Sequence, residues 1–259
     1  AGLPNASVFS HTILQASFGE EKIYIDPLLK GFSLGQYPSS YDNAYVFVID
    51  EAGFKFDNLP VGPEQDRTLS SVGDILINAD GSADFRVHVK LSPESSQSFR
   101  QSWSSSSTED KNKFFDKLEQ NFAKNGKLID RSVKGVEDRY APIEFDLRYQ
   151  SPNAYPVIND MILIKEENQS DIPAFDAEKR QYPIFVPNNS IIKNDNIYRV
   201  PDGFQINFVP ESYSISIDFM DVQVDYEKKD GEVRVLTNYK TKRSVVPEVR
   251  YGQVRDFRK

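Results

Sequence analysis

Asp84-Phe85-Arg86-Val87-His88-Val89-Lys90-Leu91 alternates polar and apolar side chains without a break. Successive side chains of a β-strand point to opposite faces, so this pattern predicts a strand with one buried face and one wet face. The same period recurs at residues 204–208, 213–219, 222–226 and 233–236. We therefore predict a mainly β chain whose strands pack on one side.

Two Asp-Gly pairs supply turns between alternating stretches, Asp80-Gly81 and Asp230-Gly231. Tight hairpin turns need a positive φ, which glycine adopts without steric cost. A β-hairpin is therefore predicted around each pair. The oxygens from Asn78 to Asp84 also resemble a calcium loop, but the distant bidentate Glu of such loops is missing, and a hairpin turn is favoured.

One stretch is typical of an amphipathic helix, which we place at about residues 108–125. Its start, Ser107-Thr108-Glu109-Asp110, offers a hydroxyl cap and acidic side chains in the first turn. Four apolar side chains then follow at helical spacing: Phe114, Phe115, Leu118 and Phe122. A weaker helical pattern runs from Pro93 to Trp103.

Composition limits the classes of function. The 259 residues are 39% apolar, enough for a core, and their number allows one large domain or two small ones of roughly 100–150 residues each. The net charge of −8 argues against a nucleic-acid partner, because binding phosphate requires an excess of Lys and Arg. No apolar run is long enough to span a membrane, and the first residues show no signal-peptide pattern.

The sequence has no cysteine and two histidines, His11 and His88. Without cysteine the chain forms no disulfide, offers no thiolate nucleophile and makes no thiolate-ligated metal site. With two histidines a His-rich metal site is also not expected. We therefore predict neither a metal nor a cofactor.

We expect about fourteen strands and one good helix, arranged as two β-sandwich-like units. The first unit takes residues 65–153 and contains the helix, and the second takes residues 154–259. The break is placed near Ser151–Pro156, where prolines flank a polar turn. Residues 1–64 have the pattern of the middle of a domain rather than of its start, with strands predicted at Val8–Leu14 and Lys22–Pro27.

The first residues also carry a family resemblance. Phe9-Ser10-His11-Thr12-Ile13, then a short hairpin and Ile23-Tyr24-Ile25-Asp26-Pro27, resemble the His and Asp half of a transglutaminase-like core of the papain type. Leu34-Gly35-Gln36-Tyr37-Pro38 is similar to the Gly-x-Leu-Pro of bacterial cell-envelope members. Later motifs resemble, in order, those of the region C-terminal to that core in one group of these proteins: Leu76–Ser82, Arg100, Lys179–Ile184, Val200–Phe204, Val209–Pro210 and Val249–Phe257.

The resemblance implies acyl transfer or hydrolysis at an amide, in which a thiolate attacks, a His moves the proton and an Asp orients the His. It assigns the base to His11 and the acid to Asp26, in a secreted, periplasmic or outer-membrane-associated bacterial protein. The chain departs from the family because no Cys precedes His11. The pair is then an incomplete or vestigial triad. The chain is either the C-terminal part of a longer protein, which we favour, or a natural member without a nucleophile.

We therefore expect no enzymatic activity from this chain by itself. Its expected function is that of a non-catalytic accessory or binding region, which positions an upstream transglutaminase-like core or recruits a protein or glycan partner. The alternative is that it forms part of a cysteine peptidase, amidase or protein-crosslinking enzyme and supplies the His base and Asp of its triad. The sequence leaves the ligand and the oligomeric state open.

Three other features have a functional and a structural interpretation. Trp103 and Phe99 are candidates for a glycan-stacking platform, with a core role as the favoured alternative. The basic stretch Lys240–Arg243 is a candidate partner or membrane-surface patch, with a solvated strand face as the alternative. Asp218 and Asp221 have the residue types of a glycosidase pair, although exposed acids are the default interpretation.

Overall fold

The structure is a computed structural model that describes residues 11–30, 32–51, 53–122, 126–164 and 180–256. Its strands are β1 (Leu14–Phe18), β2 (Glu21–Ile25), β3 (Tyr45–Asp50), β4 (Gly53–Asn58), β5 (Thr68–Ile77), β6 (Ala83–Lys90), β7 (Lys127–Lys134), β8 (Glu144–Ser151), β9 (Val157–Ile158), β10 (Met161–Ile162), β11 (Ile184–Val186), β12 (Ser190–Arg199), β13 (Tyr213–Ile217), β14 (Met220–Lys229), β15 (Glu232–Thr241) and β16 (Ser244–Val246). Its helices are α1 (Pro93–Ser105), α2 (Thr108–Phe122) and α3 (Tyr251–Asp256), and short 3-10 turns cover Ser39–Tyr41, Glu64–Arg67 and Glu248–Arg250. Strands dominate, so the prediction of a mainly β chain is confirmed.

The longest strands form one eight-stranded sheet in the order β13-β14-β15-β12-β5-β6-β8-β7. Its neighbouring strands are antiparallel except for β12 and β5, which run parallel from Ile191 opposite Thr68 to Arg199 opposite Leu76. This parallel pair joins an antiparallel half made of β5 to β8 with one made of β12 to β15. Strands of the two predicted units thus share one sheet, and their description as two sandwiches is not confirmed.

The sheet has one apolar and one polar face, as the alternation predicts. In the half made of β12 to β15, Tyr155 and Tyr251 belong to segments that pack on the apolar face. In the other half, Phe145 packs against Phe99 of α1 and Phe114 of α2. Helices α1 and α2 therefore cover the same face of the sheet as the segments that contain Tyr155 and Tyr251. No helix of the described residues is long and apolar enough to cross a membrane.

Local capping explains where the two long helices begin. The Ser92 side chain accepts a hydrogen bond from Ser95 N at 3.2 Å, and Pro93 occupies the first turn, where its missing N–H costs nothing. Ser107 Oγ caps the next helix in the same way, accepting from Asp110 N at 3.1 Å. The predicted helix at about 108–125 is confirmed as far as Phe122, and its last three residues lie outside the described ranges.

Both Asp-Gly hairpins are confirmed. The turn between β5 and β6 places Gly81 at φ +81°, and that between β14 and β15 places Gly231 at φ +70°. Asp80 Oδ1 accepts hydrogen bonds from Ser82 N at 2.9 Å and from Ser82 Oγ at 2.6 Å. The side chain that suggested a calcium ligand therefore closes the turn.

Two predicted strands differ from the structure. The strand predicted at Val8–Leu14 is not found at residues 11–13, and β1 begins only at Leu14, while residues 8–10 lie outside the described residues. Residues 204–208 alternate as a strand does, but the structure gives them no strand, and the next strand begins at Tyr213. Pro201 and Pro210 flank the stretch, and proline cannot donate a hydrogen bond to a strand ladder. Alternation reports which side chains share a face, and it does not report whether a pairing edge is free.

Residues 11–67, which we name the N-terminal region, form two separate two-stranded sheets, β1-β2 and β3-β4. In the second, Phe47 lies opposite Phe56 and Ile49 opposite Phe54. This face is largely open to solvent, with Ile49 75% and Phe54 73% exposed. Nothing in the fold confirms the prediction that residues 1–64 are a transglutaminase-like fragment.

Candidate functional site

The β1-β2 hairpin brings His11 and Asp26 together. Leu14 at the start of β1 lies opposite Ile25 at the end of β2, and Gly19 in the turn takes a φ of +64°. His11 precedes β1 by three residues and Asp26 directly follows β2, so both lie at the same end of the hairpin. His11 Nε2 is 2.6 Å from Asp26 Oδ2. The chain before His11, including Phe9 and Ser10 of the quoted motif, lies outside the described residues.

Asp26 is buried and accepts three hydrogen bonds. Its side chain is 1% exposed, whereas that of His11 is 37% exposed. Asp26 Oδ1 accepts from Leu28 N at 2.9 Å, and Oδ2 accepts from Tyr41 Oη at 2.8 Å as well as from His11. The Tyr41 ring lies 5.9 Å from the His11 ring, centroid to centroid. The carboxylate is thus fixed from three sides, while the imidazole keeps access to solvent.

These contacts set the ionisation of both partners of the Asp26–Tyr41 bond. Burial alone would raise the pKa of Asp26, but the hydrogen bonds from His11, Leu28 and Tyr41 outweigh it, and the pKa lies below its ordinary value. Burial and the bond to the Asp26 carboxylate raise the pKa of Tyr41 to about 12. At neutral pH an ionised Asp26 therefore accepts from a neutral tyrosine.

This arrangement defines what His11 can do. An ionised carboxylate only accepts hydrogen bonds, so in the neutral form of the imidazole the bond to Asp26 places the hydrogen on Nε2 and leaves the lone pair on Nδ1. No described residue hydrogen-bonds that Nδ1. The pair therefore has the form of an oriented general base whose free nitrogen can take a proton from a neighbouring group.

A second buried polar group lies directly after Tyr41 in the chain. The Asp42 side chain is 0% exposed and forms an ion pair with Arg67, whose Nη2 and Nε donate at 2.7 and 3.1 Å. Asn189 Nδ2 donates to Asp42 Oδ2 at 2.7 Å, and Gly62 N donates to Oδ1 at 3.0 Å. Every lone-pair direction of this carboxylate is therefore used, which a buried charge requires.

Arg243, just after β15, completes this group. Its Nη1 donates to Ser40 O at 2.6 Å and to Asp42 O at 2.7 Å, and its backbone N donates to Asn189 Oδ1 at 2.9 Å. We name Asp42, Arg67, Asn189 and Arg243 the Asp42 cluster. It ties the N-terminal region to the two ends of the chain segment that carries β12 to β15.

The other sequence candidates have structural partners. His88 lies on the polar face of the sheet, with Nδ1 2.8 Å from Asp146 Oδ1. Asp218 pairs with Arg250, and Asp221 pairs with Lys242 at 2.7 Å, so each carboxylate of the glycosidase candidate has its own cation.

The basic stretch Lys240–Arg243 also makes intramolecular contacts. Lys240 forms an ion pair with Glu64, and Lys242 and Arg243 make the bonds already described. Among the described residues, no three His, Asp or Glu side chains are grouped closely enough to hold a metal ion.

Trp103 contributes to the helical layer and to an open cleft. Its ring stacks on Phe99 at 5.0 Å between centroids and meets Phe114 edge-on at 5.9 Å. The cleft, about 530 Å³ in volume, lies between α1 and α2 and is lined by Trp103 together with Lys111 and Lys117. Lys111 Nζ sits 5.2 Å from the centre of the Trp103 ring. The tryptophan thus packs on one side and borders solvent on the other.

Sequence reasoning missed Tyr41 and the Asp42 cluster. Tyr41 lies in a short 3-10 turn with no periodic pattern, and Arg67, Asn189 and Arg243 are far apart in the chain. The one local signal is Ser39-Ser40-Tyr41-Asp42-Asn43, a run of turn-forming residues around an aromatic one. It predicts a turn and gives no partner for the tyrosine.

Comparisons with known proteins bear on the second half of the chain. Residues 153–259 match DUF3858, a family model described as a domain of unknown function with a solved structure. The match includes Asn189 and Arg243 but neither His11 nor Asp26. No curated protein and no solved structure matches the chain. Residues 153–259 are therefore similar to an uncharacterised β-rich domain, and a transglutaminase-like origin of the N-terminal region stays a prediction.

Proposed function

We propose that this chain supplies the general base and the orienting acid of a thiol-dependent acyl-transfer site, and supports them on a β-sheet scaffold. His11 is the base, Asp26 is the acid, and the nucleophilic Cys comes from outside these 259 residues. The chain by itself is then a non-catalytic region. The substrate class is an amide, as in a peptidase, an amidase or a protein-crosslinking enzyme.

One observation carries the proposal, the 2.6 Å bond between His11 Nε2 and a carboxylate whose side chain is 1% exposed. A solvated surface pair would leave both groups free to turn, and such pairs contribute little. Here the carboxylate is fixed by three donors, while Nδ1 of the imidazole keeps its lone pair. That is the division of roles that a base–acid pair needs.

The proposed chemistry needs the thiol, the amide substrate and a final acceptor, which is water or a second amine. His11 Nδ1 takes the thiol proton, and the thiolate adds to the amide carbonyl. The C–N bond breaks as the imidazolium returns that proton to the leaving amine, and a thioester remains. Water or a second amine then attacks the thioester and frees the thiol. Asp26 stabilises the imidazolium in both halves of the reaction.

The proposal extends to the finer architecture and to the compartment. Residues 1–64 would be the last strands of a transglutaminase-like core, and residues 65–153 and 154–259 would be the accessory β units C-terminal to it. The family resemblance supports a secreted, periplasmic or outer-membrane-associated bacterial protein. The bonds of Asn189 and Arg243 to the Ser39–Asp42 turn support a positioning role for the accessory part.

The test compares this chain with the longest protein that its gene encodes. We expect the 259-residue chain to show no hydrolysis of a peptide amide, and the longer protein to show thiol-dependent hydrolysis that iodoacetamide abolishes. In the longer protein, His11→Ala should lower kcat by about 10³-fold or more, and Asp26→Asn by about 10²–10⁴-fold, as for other triads.

His88→Ala is the matched control, because His88 also pairs with an aspartate but lies on the polar face of the sheet. Its activity should equal that of the wild type. A longer protein without a cysteine, or one whose activity survives His11→Ala, would refute the proposal.

A second candidate function, recruitment of a glycan partner, has one observation in its favour. Trp103 borders the open cleft between α1 and α2, and lysines line the same cleft. An aromatic face that borders solvent offers an apolar surface on which a sugar ring can stack. Glycan-array binding that is lost in Trp103→Ala and kept in the surface variant Tyr140→Ala would support it. An array without signal for the wild type would refute it.

A further inference from the structure

We propose that Arg243, with Asn189, is a positioning residue of the His11–Asp26 pair, because it fixes the backbone on both sides of Tyr41. The inference rests on the proposed function for its catalytic meaning. It assigns a role to two residues of the segment that matches an uncharacterised domain. The route runs from Arg243 to the turn, from the turn to the Tyr41 hydroxyl, and from that hydroxyl to Asp26.

The first step is the contact between Arg243 and the Ser39–Asp42 turn. Its Nη1 donates to Ser40 O and Asp42 O, the carbonyls immediately before and after Tyr41. The other carbonyls of the turn are already used, since Pro38 O accepts from Tyr41 N, Ser39 O from Asp42 N, and Tyr41 O from Ala44 N. Arg243 therefore donates to the two carbonyl oxygens that accept no hydrogen bond from the backbone of the turn itself.

The second step is that Arg243 is itself held in place. Its backbone N donates to Asn189 Oδ1 at 2.9 Å, and Asn189 Nδ2 donates to Asp42 Oδ2 at 2.7 Å. The asparagine therefore joins Arg243 to the same turn through a second path. Arg67 forms the ion pair with the Asp42 carboxylate, so the Arg243 guanidinium is not needed there and donates to the two backbone carbonyls.

The third step is that Tyr41 has little freedom except through this turn. Its ring stacks on Tyr37 with a 17° angle between planes, and Tyr37 is fixed by its own bond from Oη to Pro60 O at 2.7 Å. The Tyr41 hydroxyl then reaches Asp26 Oδ2 at 2.8 Å, on the same oxygen that binds His11. A shift of the turn would therefore move a donor off the carboxylate that orients His11.

The test follows the Asp26 carboxyl by carbon NMR through a pH titration of the 259-residue chain. In Tyr41→Phe we expect the pKa of Asp26 to rise, because its charged form loses a donor. Arg243→Met should also raise it, and Arg243→Lys should raise it less, since lysine keeps a donor for one carbonyl. The double variant Tyr41→Phe/Arg243→Met should show no more than the Tyr41→Phe effect, because both act through one hydroxyl.

Arg148→Met is the matched control, because Arg148 is exposed on the polar face of the sheet. It should leave the Asp26 titration as in the wild type. An Arg243→Met chain that folds with an unchanged Asp26 titration would overturn the inference, and so would full additivity of Tyr41→Phe and Arg243→Met. If Arg243→Met does not fold, Asn189→Ala decides by the same two criteria, since it removes the second path alone.

A separate arm tells the failure of this inference from that of the proposed function. In the longer gene product, Arg243→Met should lower kcat by about 10-fold or more with little change in KM, because orientation is lost and not substrate contact. A longer protein without any turnover refutes the proposed function, while the Asp26 titration still decides the positioning role.

Discussion

The N-terminal region and the eight-stranded sheet are held together by different kinds of contact. Within the described N-terminal region, Tyr37 and Leu59 are the buried apolar side chains, whereas five polar or charged side chains are buried: Asp26, Ser39, Asp42, Asp66 and Arg67. The sheet has the reverse balance, with most of the buried apolar side chains of the described residues and few buried polar ones. One part is held mainly by directed polar bonds and the other mainly by apolar burial.

The two kinds of contact predict different responses of the two regions to substitution. Apolar burial has no direction and scales with area, so a core loses stability in proportion to the atoms removed. A buried charge needs all of its partners, because one lost partner leaves the other charge without compensation. Substitution of a few buried polar residues should therefore destabilise the N-terminal region strongly, whereas changes elsewhere in it should have little effect on stability.

Breaking the Asp42–Arg67 ion pair should have the largest effect. Asp42→Ala leaves the Arg67 side chain, 4% exposed, without its carboxylate. We expect the free energy of unfolding to fall by about 3–5 kcal/mol, the usual result of removing one partner of a buried pair. Urea unfolding measures the loss, and hydrogen exchange should show that protection disappears first in the N-terminal region.

Lys113→Met is the control for that variant, because it breaks the exposed pair with Glu109. Its free energy of unfolding should stay within about 0.5 kcal/mol of the wild type. If Asp42→Ala behaved like this control, the contrast between the two regions would be wrong.

A cavity in the sheet core should come next. Ile143 is fully buried beneath the helices, so Ile143→Ala should lower the free energy of unfolding by about 2–5 kcal/mol. Hydrogen exchange should show the loss of protection in β6, β8 and the two long helices. An exchange pattern in which the N-terminal region opens first would contradict the assignment of Ile143 to the core of the sheet.

Acid should remove the contribution of Asp26. Its folded-state pKa lies below the ordinary value, so the stabilisation is complete above the unfolded-state pKa and is lost as the pH falls through the folded one. We expect wild type to exceed Asp26→Asn in free energy of unfolding at pH 7, and the gap to close well below pH 4, about where aspartate titrates in unfolded chains. Burial raises the pKa of Asp66, so its effect on stability changes with pH in the opposite direction. Both proteins contain Asp66, and its contribution therefore cancels in the difference between their free energies of unfolding. A gap that does not change with pH would contradict this role of the carboxylate.

The smallest effect should come from the open face of the β3-β4 hairpin. Ile49→Ser replaces a side chain that is 75% exposed, so the free energy of unfolding should change by at most about 0.5 kcal/mol. Thermal unfolding measures it against Ile77→Ser in the buried core, which should be severely destabilised. A large loss of stability in Ile49→Ser would show that this face of the hairpin is covered, rather than exposed, in solution.

Local patterns predicted much of the fold. The alternation at Asp84–Leu91, the Asp-Gly turns and the capped helix at Thr108 all depend on residues close together in the chain, where short-range sterics decide. The single large sheet was not predictable in this way, because the pairing of β5 with β12 joins residues far apart and carries no local signal. Residues 204–208 show the converse, because their polar and apolar side chains alternate but the residues are not part of a strand.

The residues of the candidate site also divide into those that the local sequence identifies and those that it does not. His11 and Asp26 were identified because a hairpin joins them and a family resemblance marks them, and the structure does bring them together. Their catalytic role stays a prediction. Tyr41, Asn189 and Arg243 were not predictable, because their hydrogen bonds join residues far apart in the chain and carry no local sequence signal.

The parallel pairing of β5 with β12 is lost when residues 153–259 are separated from the rest of the chain. Between these two strands Ser71 Oγ donates to Asn194 Oδ1 at 2.8 Å across 123 positions of sequence. Cutting the chain near residue 153 would leave β12, ten residues long, as an open edge with unpaired backbone groups. Such an edge recruits strands from other molecules. The excised segment should therefore self-associate or precipitate unless β5 is supplied with it.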